Sequence, residues 1–360
     1  MDVSASVALA TPRPRRGVAL LPLGLALLAA AMLAGVLLGP ARVTASGLFA
    51  ALLDALGLAE LPVEHARDAA VLGVVRAPRV LLGALIGSGL GAAGAAMQGL
   101  FRNPLADPGL IGVSAGAALA AVAAIVFGGS LFGATAGLVG LWMLPLAAFA
   151  GGLGATLLMA RLGTVGGVTS VATLLLAGVA VNALAGALTG LLIFMADDRQ
   201  VRDITFWTLG SLAGARWAQV PVVLLLVGIP SLMLCALARP FNALLLGEAE
   251  AFHLGTRVES VKRFAIVLAA IAVAAGVAFT GLIGFVGLVV PHLVRLGFGS
   301  DHRLVLPGAA LLGGALLVLA DLLARSLAAP AELPVGVVTA LLGAPFFLWL
   351  LRRRAAGGAG

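Results

Sequence analysis

Long apolar runs alternate with short polar knots along this chain. Ten runs predict spanning helices over 17–38, 79–98, 109–128, 141–160, 171–195, 218–237, 264–283, 285–298, 304–326 and 335–351. Most of them approach the roughly 20 residues that cross a bilayer core. The sharpest knot is Gln98–Ala117, QGLFRNPLADPGLIGVSAGA. Its Arg102, Asn103, Pro104, Asp107 and Pro108 interrupt helix, because proline lacks a donor and restricts the residue before it. The stretches on either side are almost purely apolar. A chain that crosses a bilayer, turns on a compact loop and crosses back has this pattern.

Two longer connections stand apart. Residues 39–78 contain GLFAALLDALGL, which predicts a short helix lying on the surface. Residues 238–263 mix Glu248, Glu250, His253, Arg257 and Glu259 with apolar positions and predict one or two short amphipathic helices. Such a piece lies on lipid or docks into a partner. The interspersed acids, which anionic lipid would repel, favour docking. The first 45 residues imitate a signal peptide, with Arg13, Arg15 and Arg16 before an apolar run. Val18–Leu38 is too long for a signal core and fits an uncleaved first span.

Composition excludes a soluble domain. The 360 residues are 62% hydrophobic and 10% charged, with a mean hydropathy of +1.16. The expected fold is all-α and polytopic, about ten transmembrane helices in one domain over 17–352, with tails at 1–16 and 353–360. Spans 1–5 and 6–10 have opposite orientations, as in inverted-repeat transporters. Gly83, Gly87, Gly91, Ala95 and Gly99 fall four apart, as do Gly112, Gly116, Ala120, Ala124 and Gly128. These are seams for close helix packing. Cys235 is the only cysteine, so the chain has no internal disulfide and no cysteine cluster for a metal.

The net charge of +7 comes from 21 arginines and one lysine, with no nucleic-acid motif beside them. An even number of spans puts both termini on one side, and the positive-inside rule makes that side cytoplasmic. The inner segments then hold 14 basic residues and the outer ones eight. Among the outer ones, Arg76 and Arg79 flank Pro78, and Arg325 ends the ninth span. Charges at the mouth of a pore attract an anionic solute or an acidic protein. Snorkelling to headgroups is the alternative, but positive charge outside runs against the orientation rule and favours function.

Catalytic chemistry is not legible. No GxxxxGK[ST] motif exists, and the sole lysine, Lys262, lies in VESVKRF, so the chain has no phosphate loop of its own. His65, His253, His292 and His302 are far apart and lack metal-ligand spacing. Asp321 and Arg325 are four apart and able to pair. Central carboxylates, which an ion-coupled carrier needs, are absent. In the fifth span, Gly178, Asn182, Gly186 and Thr189 follow helical spacing and form either a pathway lining or a packing seam. Thr169 and Ser170 at its inner end either narrow the cytoplasmic mouth or cap the helix.

The knot and its neighbours closely resemble the permease subunits of ABC importers for iron siderophores, haem and vitamin B12. The resemblance runs from Arg76 to Arg353 through RAPR (76–79), the knot itself, FWTLGSL (206–212), LGEAEAFHLG (246–255), GLIGFVGLVVPHLVR (281–295), DHR (301–303) and AELPVGVVTALLGAPFFLWLL (331–351). It implies a homodimer around a central pathway in a bacterial inner membrane. Two ATP-binding subunits sit inside, one periplasmic binding protein docks outside, and the 39–78 loop is periplasmic. It implies no enzyme activity and no cofactor on this chain; ATP and magnesium belong to the partner. By the same resemblance, Arg76, Arg79 and Arg325 meet acidic knobs of the binding protein. The cytoplasmic coupling segment includes Gly247, Glu248, Ala249, His253, Leu254 and Gly255. Asn103 and Leu105 match a cytoplasmic gate, which Thr169 and Ser170 would join on the first of their two readings, and the fifth-span positions line the pathway by analogy. RDITFWTLGSLAGARW (202–217) looks most like haem permeases, with siderophore–iron next and vitamin B12 third. The rival classes are an ion-coupled carrier and a membrane-embedded enzyme.

Overall fold

The computed structural model describes residues 14–132 and 138–357, and turns every predicted run into helix. Residues 1–13 of the expected N-terminal tail and 358–360 of the C-terminal tail lie outside the described residues, as do 133–137. Helix α1 (Pro14–Leu37) leads to the expected short surface helix, α2 (Ala45–Ala55). Thr44 caps α2 by accepting a hydrogen bond from the Gly47 N–H at 3.0 Å.

The second span starts earlier than its polar residues suggest. Helical turns run unbroken from Val63 through α3 (Ala66–Ala70) and a π-helical turn (Val71–Arg76) into α4 (Ala77–Leu100). Residues 63–76, which the sequence places in the outer loop, extend this helix. Within the extension Asp68 is buried and accepts from the Thr44 N–H (2.9 Å) and hydroxyl (2.7 Å).

The knot ends α4 as its prolines dictate. Arg102 is left-handed (φ +48°), the Asn103 side chain accepts from the Leu105 N–H (2.9 Å), and Asp107 caps a 3-10 turn at Pro108–Ile111. Helix α5 (Val113–Phe132) follows, then α6 (Leu138–Leu162). A two-residue hairpin, β1 (Thr164–Val165) and β2 (Val168–Thr169), joins α6 to α7 (Val171–Met195). The amphipathic α8 (Asp198–Thr208) comes next. The following span is built from α9 (Val220–Val223), a π-helical turn (Leu224–Gly228) and α10 (Ile229–Ala236).

The 238–263 segment supplies two amphipathic helices, α11 (Ala238–Leu245) and α12 (Glu248–His253), before α13 (Val258–Thr280). Then come α14 (Val286–Phe298), α15 (His302–Leu327) and α16 (Val335–Gly357). Seven helical stretches among the described residues are long and apolar enough to cross a membrane; α5, α14 and α16 contribute shorter apolar stretches. Helix α14 falls on the predicted run 285–298 and is the shortest of these. Its 13 residues reach only about 20 Å, short of a core about 30 Å thick. A non-helical step at 281–285, with Gly281 and Phe285 at positive φ, separates it from α13.

Helix α4 is the mast of the bundle, buried almost throughout its length. Its predicted small-residue face meets α15 so closely that a Cβ on Gly87 would lie 2.3 Å from the Gly313 carbonyl oxygen. A Cβ on Gly91 would lie 2.0 Å from that of Ala309. Helices α5 and α6 use the same device at Gly116 and Gly151. Because 24 residues of α4 span about 36 Å, it holds two ends of the molecule well apart. Arg79 and Asp321 mark one end; the knot, α11 and the start of α15 mark the other.

Candidate functional site

At the knot end, α11 and α12 form a ledge. Helix α11 buries Ala238, Phe241 and Leu244 and leaves Leu245 and Leu246 exposed. Gly247 turns the chain with φ +123°, a region L side chains rarely adopt. Helix α12 then buries Ala251 but exposes Phe252 (67%), and Leu254 after it is 65% exposed. Gly255, at φ +82°, ends the ledge. Glu248 is partly exposed, and Ala249 and His253 are exposed. The six expected coupling residues all fall on the ledge, with Glu248 turned toward the body of the protein and Ala249, His253, Leu254 and Gly255 exposed. The structure adds the exposed Leu245, Leu246 and Phe252 to this surface, and apolar residues inside a charged stretch were the signal for them.

The ledge is anchored twice. Asn242 donates to the Asp301 carboxylate (2.6 Å) and accepts from the His302 N–H (2.8 Å), while Phe241 stacks on the His302 ring at 5.4 Å. Glu248 accepts from the Lys262 ammonium at 2.6 Å. Burial works against the Asp301 charge. The hydrogen bonds from Asn242 and the Arg303 N–H, with the nearby positive charges, outweigh it and hold this carboxyl below the usual range.

The gate residues divide. Asn103 and Leu105 are exposed at the tip of the knot, where they are free to meet a neighbour. Thr169 is not at the mouth. It is 2% exposed, and its hydroxyl lies 3.1 Å from that of Thr164 within the hairpin. Glu259 and Lys262 of α13 take its backbone N–H and carbonyl. Ser170 is the N-cap of α7, accepting from the Thr173 N–H at 3.4 Å.

The fifth-span stripe divides too. Gly178 is buried against the knot, where a Cβ would come 2.3 Å from the Leu110 carbonyl oxygen. Asn182 donates to the Gly109 carbonyl at 3.4 Å. Both positions therefore form a packing seam within the chain and do not line an open surface. Thr189 turns its hydroxyl back to Ala185 of its own helix (2.7 Å). Gly186 faces open space, with nothing within 4 Å of a Cβ placed there.

The three outer arginines are not free charges. Arg76, Arg79 and Arg325 are 2%, 4% and 4% exposed. Arg79 pairs with Asp321 and Glu332 at 2.9 Å each. Arg76 donates to the carbonyls of Val36, Leu37 and Ala41, at and just beyond the C-terminus of α1, where the helix dipole favours a cation. Arg325 donates to the Gly35 carbonyl, and its predicted partner Asp321 is 3.9 Å away, already held by Arg79. Burial follows from these partners, since a buried guanidinium needs acceptors. The charges left exposed are Arg42, Arg67, Arg199, Arg202 and Arg216.

No group of three metal-ligating side chains occurs among the described residues. A profile of the FecCD transport family matches residues 27–353. The chain belongs to this family. It is 48% identical over 281 residues to the hemin transport system permease HmuU of Yersinia pestis, covering 78% of this chain and 82% of the relative. It is also 48% identical over 284 residues to a cobalamin import permease, BtuC, of Halobacterium salinarum, covering 79% and 74%. A vitamin B12 permease of Salmonella paratyphi A is 42% identical over 282 residues, covering 78% and 83%. Among solved structures, a metal-chelate type ABC transporter in an inward-facing conformation superimposes with a TM-score of 0.79 at 31% identity. That match covers 93% of this chain and 99% of the other. As a FecCD protein the chain is a multi-pass transport permease of the ABC importer class and not itself a catalyst, which sets aside the ion-coupled carrier and the membrane enzyme.

Proposed function

We propose that this permease moves haem inward across a bacterial inner membrane as one half of a homodimer. Two ATP-binding subunits, which bring ATP and magnesium, engage the α11–α12 ledge from the cytoplasm, and one periplasmic binding protein delivers cargo to the Arg79 end. Both termini are then cytoplasmic. The observation that carries this reading is the ledge. Leu245, Leu246, Phe252 and Leu254 stand exposed around a glycine turn at the end opposite the arginine cluster. Apolar residues presented on a short helical step suit docking into a protein groove.

Haem is the first cargo because RDITFWTLGSLAGARW resembles haem permeases. A hemin relative and a cobalamin relative at equal identity leave the choice to experiment. Binding-protein docking through Arg76, Arg79 or Arg325 requires these side chains to exchange internal partners; the partly exposed Glu332 is the one nearest water. The test is uptake into liposomes holding the complete complex, with haem, a ferric siderophore and cobalamin compared. Nucleotide-driven accumulation of haem above the other two is expected. Preference for cobalamin or the siderophore overturns the cargo, and uptake without nucleotide overturns the importer.

A further inference from the structure

The chain's single lysine is buried. Lys262 is 2% exposed and ranks among the largest fully buried side chains. A buried cation is tolerated only with close acceptors, and Lys262 has three, each from a different element. The Glu248 carboxylate of α12 lies at 2.6 Å, the Thr169 carbonyl of β2 at 2.9 Å, and the Glu259 carboxylate of its own helix at 3.3 Å. Glu259 closes the ring by accepting from the Thr169 N–H at 2.9 Å. The next residue along, Arg263, donates to the Gly167 carbonyl at 2.8 Å. Two successive basic residues of α13 thus hold the tip and the second strand of one hairpin.

We propose that Lys262 is a positioning residue that makes α12 and the α6–α7 hairpin move as one. This rests on the reading of α12 as the contact for an ATP-binding subunit. The glutamates reach water and the lysine does not: their side chains are 41% and 32% exposed, against 2%. If α12 is displaced alone, the ammonium loses its nearest carboxylate in a site water does not reach. Carrying Thr169 along keeps the ring intact. Thr169 is followed at once by the Ser170 cap of α7, and α7 rests on the knot through Gly178 and Asn182. A contiguous route therefore runs from the ledge to Asn103 and Leu105. A cleft of about 370 Å³ lined by Arg161, Thr164, Thr169, Arg263 and Ile266 lies beside the hairpin.

The experiment uses the complete complex in liposomes and reads haem taken up per ATP hydrolysed. Lys262→Met should lower that ratio by roughly tenfold, within the range by which coupling residues act, while the ATP-binding subunit still co-purifies and hydrolyses ATP. Lys262→Arg should restore much of the ratio. Glu248→Gln alters only a partly exposed group, so it probes the same link without emptying the buried site. It should lower the ratio as well, and adding it to Lys262→Met should cost little more. A role in folding alone would reduce uptake and hydrolysis together. An unchanged ratio in both Lys262→Met and Glu248→Gln overturns the proposal. A wild-type complex that takes up no haem overturns instead the choice of cargo, and an ATP-binding subunit that still co-purifies with Phe252→Glu overturns the reading of α12 beneath the proposal.

Discussion

Arg79 grips Asp321 with two nitrogens, Nε to Oδ2 and Nη2 to Oδ1, both at 2.9 Å, and so joins α4 to α15 across 242 residues of sequence. The fork of a guanidinium matches a carboxylate in this way, and lysine cannot reproduce it. Arg79→Gln leaves Asp321 buried with Arg325 no nearer than 3.9 Å. Removing one partner of a buried pair costs about 3–5 kcal/mol. The thermal midpoint of the detergent-purified protein should fall clearly, and Arg79→Gln with Asp321→Asn should recover part of the loss. Arg202→Glu, at an exposed arginine, should leave the midpoint within experimental scatter. If Arg79→Gln melts like wild type, the clamp is not structural.

The glycine seams make a sharper contrast. A Cβ at Gly91 would stand 2.0 Å from the Ala309 carbonyl oxygen, while one at Gly186 meets nothing within 4 Å. Gly91→Ala must push α4 from α15, and overpacking of this kind costs about 1–3 kcal/mol. Gly186→Ala should change stability by less than about 0.5 kcal/mol. Thermal unfolding of the two variants side by side checks the seam, and equal midpoints would refute it.

The helices and the knot were legible because their causes are local. Apolar runs, Pro104, Pro108 and an aspartate cap dictate helix, break and restart within a few residues of themselves. The two amphipathic pieces at 238–263 were legible for the same reason. What stayed hidden depends on distant partners. The burial of Arg79 is set by Asp321 and Glu332, and that of Arg325 by the Gly35 carbonyl 290 positions away. Thr169 reads equally as a mouth residue or a helix cap until α13 brings Glu259 and Lys262 against its backbone. The run 285–298 forms α14 as read, but the non-helical step at 281–285 that sets it off from α13 is not visible in an apolar run.

Asp301 sets an acid limit on the same anchor that holds α11. Its folded-state pKa lies below its unfolded value, so its stabilising contribution is complete above about pH 4 and is lost as pH falls through the folded value. Asp301→Asn should therefore destabilise the purified protein at neutral pH, and the difference from wild type should shrink as the pH drops below about 4. Thermal midpoints measured across that range decide it. A gap that persists undiminished in acid assigns the effect to lost geometry and not to charge.

The ledge can be tested apart from the fold that presents it. Phe252 is exposed on α12 and Leu246 beside the Gly247 turn, so neither is needed to fill the core. Phe252→Glu places a charge where a partner's apolar groove would close, and a buried unpaired charge is costly. It should abolish co-purification of the ATP-binding subunit while leaving the thermal midpoint of the isolated permease unchanged. Glu248→Arg acts differently, because it sets a second cation beside the buried Lys262 and removes that residue's nearest acceptor. It should keep the protein inserted but leave haem uptake uncoupled from hydrolysis. Gly255→Trp, at φ +82°, strains the turn that ends the ledge and should uncouple in the same way. Normal ATP-driven uptake by all three variants would mean that the partner engages another face.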